Sequence, residues 1–347
     1  MDNGRHTVTF GRGAALLACA LGVAGCQARG SRQLPVDRFN YNQAIANSAN
    51  EQMLLNLVRL HHGEVPTFLA VNSVLTQYVW TGEAGIFGSG GESLDFPAWS
   101  VGGNANVRYI ERPTVTYTPL SGQEFATQLL SPVRAEVVFS LVSSGWPPRE
   151  LLLMTLQRIG DIENIGFASA RATAGDDQSR FERAVDIIIE LARHDAIELV
   201  RSADPASAET YLEFVAAPAG ETAALVDEFR AMLGLDDAQT RYRVTRRIVG
   251  REPGEITIRT HSLLELMGLL SAGVGNSGGA PAGPLAVGRS VEAPADALVA
   301  VEYRGGWYGI DRSDEQSKRA FGLLIYLFQM QASQGPGVGP VLTVPVG

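Results

Sequence analysis

The only two cysteines, Cys19 and Cys26, both fall within the first 26 of 347 residues. Everything beyond them must therefore hold its shape without a disulfide or a thiolate metal centre, by packing alone. The chain can do so: hydrophobic residues make up 45% of it, enough for a sizeable core over this length.

The surroundings of the two cysteines give them a different purpose. Ala14 to Gly22 is a short apolar run behind a weakly basic leader carrying Arg5 and Arg12. It is too short to span a bilayer, which takes about 20 apolar residues. Val23-Ala24-Gly25-Cys26 closes it. The whole resembles a secretory signal peptide (residues 1–25) ending in the lipobox of bacterial lipoproteins. The resemblance implies cleavage after Gly25, a diacylglycerol on the Cys26 sulfur, and a mature chain without a free thiol. Residues 26–36 then read as a lipidated tether. Gln27 stands where an aspartate would mark inner-membrane retention, so the expected address is the periplasmic face of the outer membrane, with the membrane itself the first partner.

Net charge is −9, with 37 acids against 28 bases. Nucleic-acid binding needs concentrated positive charge to neutralise phosphates, so that class is excluded.

Helical periodicity runs through Tyr41, Ile45, Ala49, Met53, Leu57 and Leu60, which predicts a helix over 41–60 burying Ile45, Met53 and Leu57. Capping-box patterns at Ser121–Glu124, Ser179–Glu182, Ser262–Glu265 and Ser313–Gln316 open four more helices, and Pro147-Pro148 opens another. Residues 68–80, 107–118, 196–201, 211–216, 242–249, 255–260, 298–303, 307–310 and 340–345 are strand-like, rich in β-branched and aromatic residues. Their order repeats as strand, strand, helix, and the short connections predict antiparallel pairs. The expected fold is α+β: antiparallel sheet built from recurring strand-strand-helix units, with helices packed on the sheet. A polar break divides it into an N-terminal region, 37–172, and a C-terminal region, 178–347, which one continuous domain would also accommodate. Seven glycines in 82–106 and six in 273–290 mark two expected mobile loops.

Catalytic signatures are sparse. His61-His62 suits a helix C-terminus, and His194 shares a charged helix face with Asp186 and Glu190. Neither has the spaced ligands of a metal site. Gly273-Val274-Gly275-Asn276-Ser277-Gly278 matches the dinucleotide fingerprint in letters, but it follows a helix rather than a strand. No cofactor and no catalytic residue is assigned. Arg241-Tyr242-Arg243-Val244-Thr245-Arg246-Arg247 is the one basic cluster, and Arg243 and Arg247 are candidates for an anionic lipid headgroup or polysaccharide. Gly305-Gly306 predicts a two-residue hairpin turn that sets Arg304 opposite Trp307, Tyr303 opposite Tyr308 and Val301 opposite Ile310. Arg304 over the Trp307 indole would form a second candidate contact surface. A rival reading is a periplasmic hydrolase of cell wall or polysaccharide using Glu92, Asp95 or Asp311. A third is a lipid- or glycan-binding accessory of a transport system.

Three segments carry a wider likeness. Tyr41 to Leu60 continuing through Pro66-Thr67-Phe68-Leu69, then Tyr308-Gly309-Ile310-Asp311 with Ser317-Lys318, and last Pro340 to Gly347, resemble a family of uncharacterised envelope lipoproteins of Gram-negative bacteria. That family carries no known activity. What it implies is location and, with the missing catalytic signatures, a non-catalytic scaffold or accessory role beside an envelope protein partner.

Overall fold

A computed structural model describes residues 30–91, 98–165, 175–202, 204, 209–215, 220–249, 252–275 and 283–332. The lipobox, Cys26, Glu92, Asp95 and the 340–345 strand lie outside them.

The chain is α+β. Helix α1 (Gly30–His61) leads into a long hairpin, β1 (Phe68–Gly91) and β2 (Ala98–Leu120). Then come α2 (Gln123–Leu130), α3 (Ala135–Ser143), α4 (Pro148–Thr155), β3 (Leu156–Ile159), β4 (Ile162–Glu163) and α5 (Gly175–Arg193). The rest is β5 (Ile197–Arg201), β6 (Thr210–Phe214), α6 (Glu221–Leu233), β7 (Arg241–Thr245), β8 (Glu255–Thr260), α7 (Leu263–Ser271), β9 (Gly288–Ser290), β10 (Ala297–Tyr303), β11 (Gly306–Asp311) and α8 (Glu315–Ala332).

Three sheets result. One has six strands in the order β4-β3-β8-β7-β6-β5, one three in the order β10-β11-β9, and the third is the β1–β2 ribbon. The six-stranded sheet draws β3 and β4 from before the 172–178 break and the rest from after it. A single cluster of buried side chains runs from Leu54 and Leu57 of α1 through Leu266 and Leu270 of α7 to Phe321 and Leu324 of α8, and on to Ile256 and Ile258 of β8.

Pairing is antiparallel throughout the described strands except between β7 and β8, which run parallel, Val244 beside Ile256. The expected β7–β8 hairpin is thus corrected. Arg243 N–H donates to Gly254 C=O at 2.7 Å, so by Gly254 the chain has already returned alongside the middle of β7. Gly254 takes φ +83°, a turn open to glycine, and re-enters the sheet in the same direction. In chain order β5 and β6 precede α6, β7 and β8 precede α7, and β10 and β11 precede α8, but β7–β8 is parallel where the other two pairs are antiparallel, so the three share no common geometry.

Other expectations change with equal clarity. Helix α1 starts before residue 41, and its first half projects from the core: Phe39 is 69% and Ile45 37% exposed, while Met53 and Leu57 are buried. A periodic face is necessary for burial, not sufficient: Phe39 and Ile45 stay exposed among the described residues where Met53 and Leu57 reach the core. Of the four capping boxes only Ser262–Glu265 forms, with both reciprocal hydrogen bonds present. Helix α2 is capped by Gly122 without a side-chain bond, and Ser179 lies inside α5. At α8 the Asp314 carboxylate takes the role expected of Ser313, accepting from Ser317 N–H at 3.1 Å, while Ser313 turns back to Asp311.

The glycine-rich 82–106 stretch is not a loop where it is described. It is the outer half of the β1–β2 ribbon, paired from Phe68↔Leu120 to Gly91↔Ala98 with one bulge near Val71. Two amides of α1 fasten the ribbon's base. Asn56 and Gln52, one turn apart, bond the backbone of Thr67 and Leu69, alternate residues of an extended chain. Thr67 N–H donates to Asn56 Oδ1 and Asn56 Nδ2 donates to Thr67 C=O, both at 2.8 Å. Leu69 N–H donates to Gln52 Oε1 at 2.7 Å, and Gln52 Nε2 donates to Leu69 C=O at 3.2 Å. The helix thereby presents to the strand the donor–acceptor pattern a neighbouring strand would offer.

Candidate functional site

The strongest candidate is an arginine-lined cleft at the β6–β7–β8 end of the large sheet. Arg243 is on β7, with Arg246 and Arg247 just beyond it. Arg201 ends β5, Glu209 precedes β6, Thr210 begins it, and Glu255 begins β8. Arg134 and Glu136 come from the start of α3. The cavity between them measures about 480 Å³. Five arginines and three glutamates line it. The basic 241–247 cluster reaches this surface because β7 alternates: Tyr242 is fully buried, which leaves Arg241 and Arg243 on the outer face.

The charges fall into two sets. Arg243 is committed. It reaches Glu209 at 3.0 Å, pairs with Glu255, and lies 4.0 Å from Glu252. Glu255, though almost fully buried, is held below the usual carboxylate range by the Glu252 backbone N–H at 3.0 Å, and further by Arg243 and Arg247. At Glu136 burial pushes the carboxyl up. The Thr210 hydroxyl, backbone N–H bonding at the helix start, and Arg134 and Arg201 outweigh it, so it too is held low. Glu136 and Glu255 are therefore held ionised, an arrangement unsuited to donating a proton, and Glu209 and Glu255 position Arg243.

Arg201, Arg246 and Arg247 form the second set. None makes an ion pair within 4.0 Å among the described residues, and the Arg246 and Arg247 side chains are exposed. Arg247 is fixed by its backbone, its N–H donating to Thr245 Oγ1 at 3.2 Å and its C=O accepting from Thr257 Oγ1 at 2.6 Å. These three guanidiniums line one cleft, an arrangement suited to an anion with several oxygens.

The structure does not gather the four expected contact residues. Arg243 and Arg247 are at the cleft, whereas Arg304 and Trp307 belong to the three-stranded sheet. The hairpin turn there is Arg304-Gly305, with φ +48° and +72°, not Gly305-Gly306. Hence Tyr303 pairs with Gly306, Glu302 with Trp307, Val301 with Tyr308 and Val299 with Ile310. The pairing is shifted by two residues from the expected register, which preserves the faces but changes the partners. The apolar face survives: Tyr308 and Ile310 are buried, and His62 at the end of α1 stacks on Tyr303 with ring centroids 5.5 Å apart. Arg304 does not lie over Trp307. It bonds Glu64 at 2.6 Å and sits 5.5 Å from the Tyr303 ring. Trp307 is half-buried opposite Glu302, so the expected stacking of Arg304 on Trp307 does not form.

Other sequence candidates are structural. His61 Nδ1 lies 3.2 Å from the Ser271 carbonyl and His62 Nε2 3.2 Å from the Tyr308 hydroxyl, pinning α1 to α7 and β11. His194 pairs with Glu190 at 3.3 Å. No group of three or more metal-ligating side chains occurs among the described residues. Gly273 accommodates Leu285, whose carbonyl oxygen would lie 1.8 Å from a Cβ there. That close approach explains the first glycine of the fingerprint-like run without a nucleotide. Asp311 is held ionised by the Ser313 hydroxyl and N–H.

Sequence reasoning missed Arg134, Glu136, Arg201, Glu209 and Glu255. They lie up to 121 positions apart, and only the strand order β8-β7-β6-β5 makes them neighbours. The sole local signal was the alternating arginines of 241–247. No known family model, curated protein or solved structure matches this chain.

Proposed function

We infer that the chain is an outer-membrane-anchored periplasmic lipoprotein with a non-catalytic scaffold or accessory role in an envelope assembly. The observation that carries it is the Val23-Ala24-Gly25-Cys26 lipobox behind a nine-residue apolar run. It gives the chain an acyl anchor at Cys26, four positions before α1 begins at Gly30, so that the helix rather than a loose 26–36 tether leads from the membrane to the folded body. The wider likeness to uncharacterised Gram-negative envelope lipoproteins agrees. The strand-strand-helix stretches are, on this reading, the repeated building units of the scaffold body. The cleft is its recognition element: Glu209 and Glu255 hold Arg243, while Arg201, Arg246 and Arg247, without an ion pair among the described residues, fit an anionic lipid headgroup or polysaccharide.

The test is metabolic labelling with an acyl-chain analogue in cells expressing the wild type or Cys26→Ala, followed by membrane fractionation and in-cell crosslinking. The wild type should carry label, sediment with the outer membrane and crosslink to another envelope protein; the variant should do none of these. Label persisting in Cys26→Ala, or an intact residue 1–25 segment on the purified wild type, refutes the anchor.

A further inference from the structure

The β1–β2 ribbon has no counterpart in the scaffold reading. It pairs 23 register positions and has no third strand among the described residues, so that beyond the α1 contact at Leu69 its two long edges carry no strand partner there. A two-stranded ribbon is marginal in water on its own, and open edges of this length invite further strands. Its sequence is partitioned by the register. One face of the outer half carries Trp80↔Tyr109, Gly82↔Val107, Ala84↔Ala105, Ile86↔Gly103, Gly88↔Val101 and Gly90↔Trp99. The other carries Thr81↔Arg108, Glu83↔Asn106, Gly85↔Asn104, Phe87↔Gly102 and Ser89↔Ser100. Between the two aromatic levels every polar or charged residue is on the second face, and the first has none. Thr81, Glu83, Asn104, Asn106 and Arg108 are exposed to water.

The dimensions decide what the first face fits. From Trp80 to Gly90 is ten residue steps, about 33 Å along a strand. Tilted by about 40°, as strands are in a membrane barrel, that is a height of about 25 Å, the height of the apolar band of outer-membrane barrels, which is bounded above and below by aromatic girdles. Here Trp80 and Tyr109 stand at one boundary and Trp99 at the other. Toward the body the partition stops at once: Glu111 follows on the same face as Trp80, opposite Tyr78. Among the described residues no helix is long and apolar enough to cross a membrane.

We propose that the paired arms, 80–91 of β1 and 98–109 of β2, insert into a bilayer as part of an oligomeric β-barrel, in which β1 of each copy pairs with β2 of the next. The apolar face meets hydrocarbon, the Thr81–Arg108 face lines a water-filled lumen, and closure removes both open edges. Barrels of this kind start at about eight strands, so a ring needs about four copies or more. The envelope reading matters here only as the route by which the chain reaches a membrane.

The test uses purified full-length protein and calcein-loaded vesicles of phosphatidylethanolamine and phosphatidylglycerol. Ala84→Arg and Ala105→Arg place a charge at mid-band on the apolar face; Asn104→Arg places the same charge at the same depth on the polar face. Wild type and Asn104→Arg should release dye and yield a crosslinked ring. Ala84→Arg and Ala105→Arg should release at least about thirtyfold less, which is the lower end of the cost of arginine at a barrel's lipid face. Thermal melts should match across all four proteins, since positions 84, 104 and 105 belong only to the ribbon. Equal release from Ala84→Arg and Asn104→Arg, or a wild type that stays monomeric and releases nothing, overturns the proposal. Acyl label on Cys26, read in the same preparations, separates the two readings: label without release retains the anchor and rejects the barrel, and release without label does the reverse.

Discussion

Replacing Asn56 by leucine should loosen the ribbon from the body while leaving the core packed. The Asn56 side chain is fully buried and makes two hydrogen bonds, both at 2.8 Å, with the backbone of Thr67. Leucine has a similar volume, so the substitution leaves no large cavity and removes chiefly the two bonds. At about 0.5–1.5 kcal/mol net for each, the loss is about 1–3 kcal/mol. Gln52→Leu removes the equivalent pair at Leu69, but there the groups are exposed and water replaces the partner, so its cost should stay under about 1 kcal/mol. With a urea slope of about 3 kcal/mol/M, Asn56→Leu shifts the midpoint down by about 0.3–1 M. Amide exchange provides the local readout: the Thr67 N–H should lose protection in Asn56→Leu and keep it in Gln52→Leu. An unchanged midpoint with an unchanged Thr67 amide would refute the idea that α1 acts as a surrogate strand. So would a Gln52→Leu cost equal to that of Asn56→Leu.

Three further outcomes follow from named contacts. His261 is buried, and burial outweighs Glu265 to hold its pKa below the ordinary 6.5, so the unfolded chain binds the proton more readily. Stability should therefore be full above pH 6.5 and fall as the pH drops through the folded-state value, a loss that His261→Gln abolishes; Glu136 and Glu255, also held low, act only below about 4.5, so urea midpoints between pH 7 and 5 isolate the histidine. Gly273→Ala should cost about 1–3 kcal/mol, because the Leu285 carbonyl that its Cβ would meet is backbone and cannot rotate away; a melt equal to wild type would show that the 273–287 pairing yields freely. Arg246→Ala with Arg247→Ala should weaken retention on immobilised dextran sulfate and flatten its salt dependence, without changing the melt, since neither side chain holds the fold; unchanged retention would remove the cleft as an anion site.

The elements legible from sequence were those in which period, cap and packing agree. Helix α7 has an apolar stripe, the Ser262–Glu265 box and core neighbours, and it forms as read. Pro148 opens α4 at its first turn as a fixed φ should. Legibility failed wherever the decisive partner is remote. The N-terminal half of α1 has the right period, yet its Ile45 stays exposed among the described residues. The 246–254 connection has hairpin length, yet Arg243 reaches Glu209 on one side and Glu255 on the other, and that shared guanidinium accompanies a parallel return. The Arg304-Gly305 turn was off by one residue because arginine at φ +48° is rare, and Glu64, from the end of α1, holds it there. The cleft was half legible: β7 announced its arginines, but the glutamates that commit Arg243 come from elsewhere.

The ribbon shows why composition misleads about this segment in particular. Seven glycines in 82–106 suggest a chain too entropic to order. The same glycines, set against the pairing register, fill alternate positions among small and apolar residues on one face and small polar residues on the other. Glycine lowers the value of each strand taken singly, so the pattern yields little order from local propensity or from one neighbour. It gains most when every backbone group has two neighbours and water is excluded from one side, because each unsatisfied N–H and C=O in hydrocarbon costs several kcal/mol. A hairpin weak as a ribbon and strong as a closed wall would stay soluble until copies assemble at a membrane. That coupling predicts concentration-dependent release from vesicles, rising more steeply than the first power of protein, and a strictly linear dependence would show that single ribbons act alone.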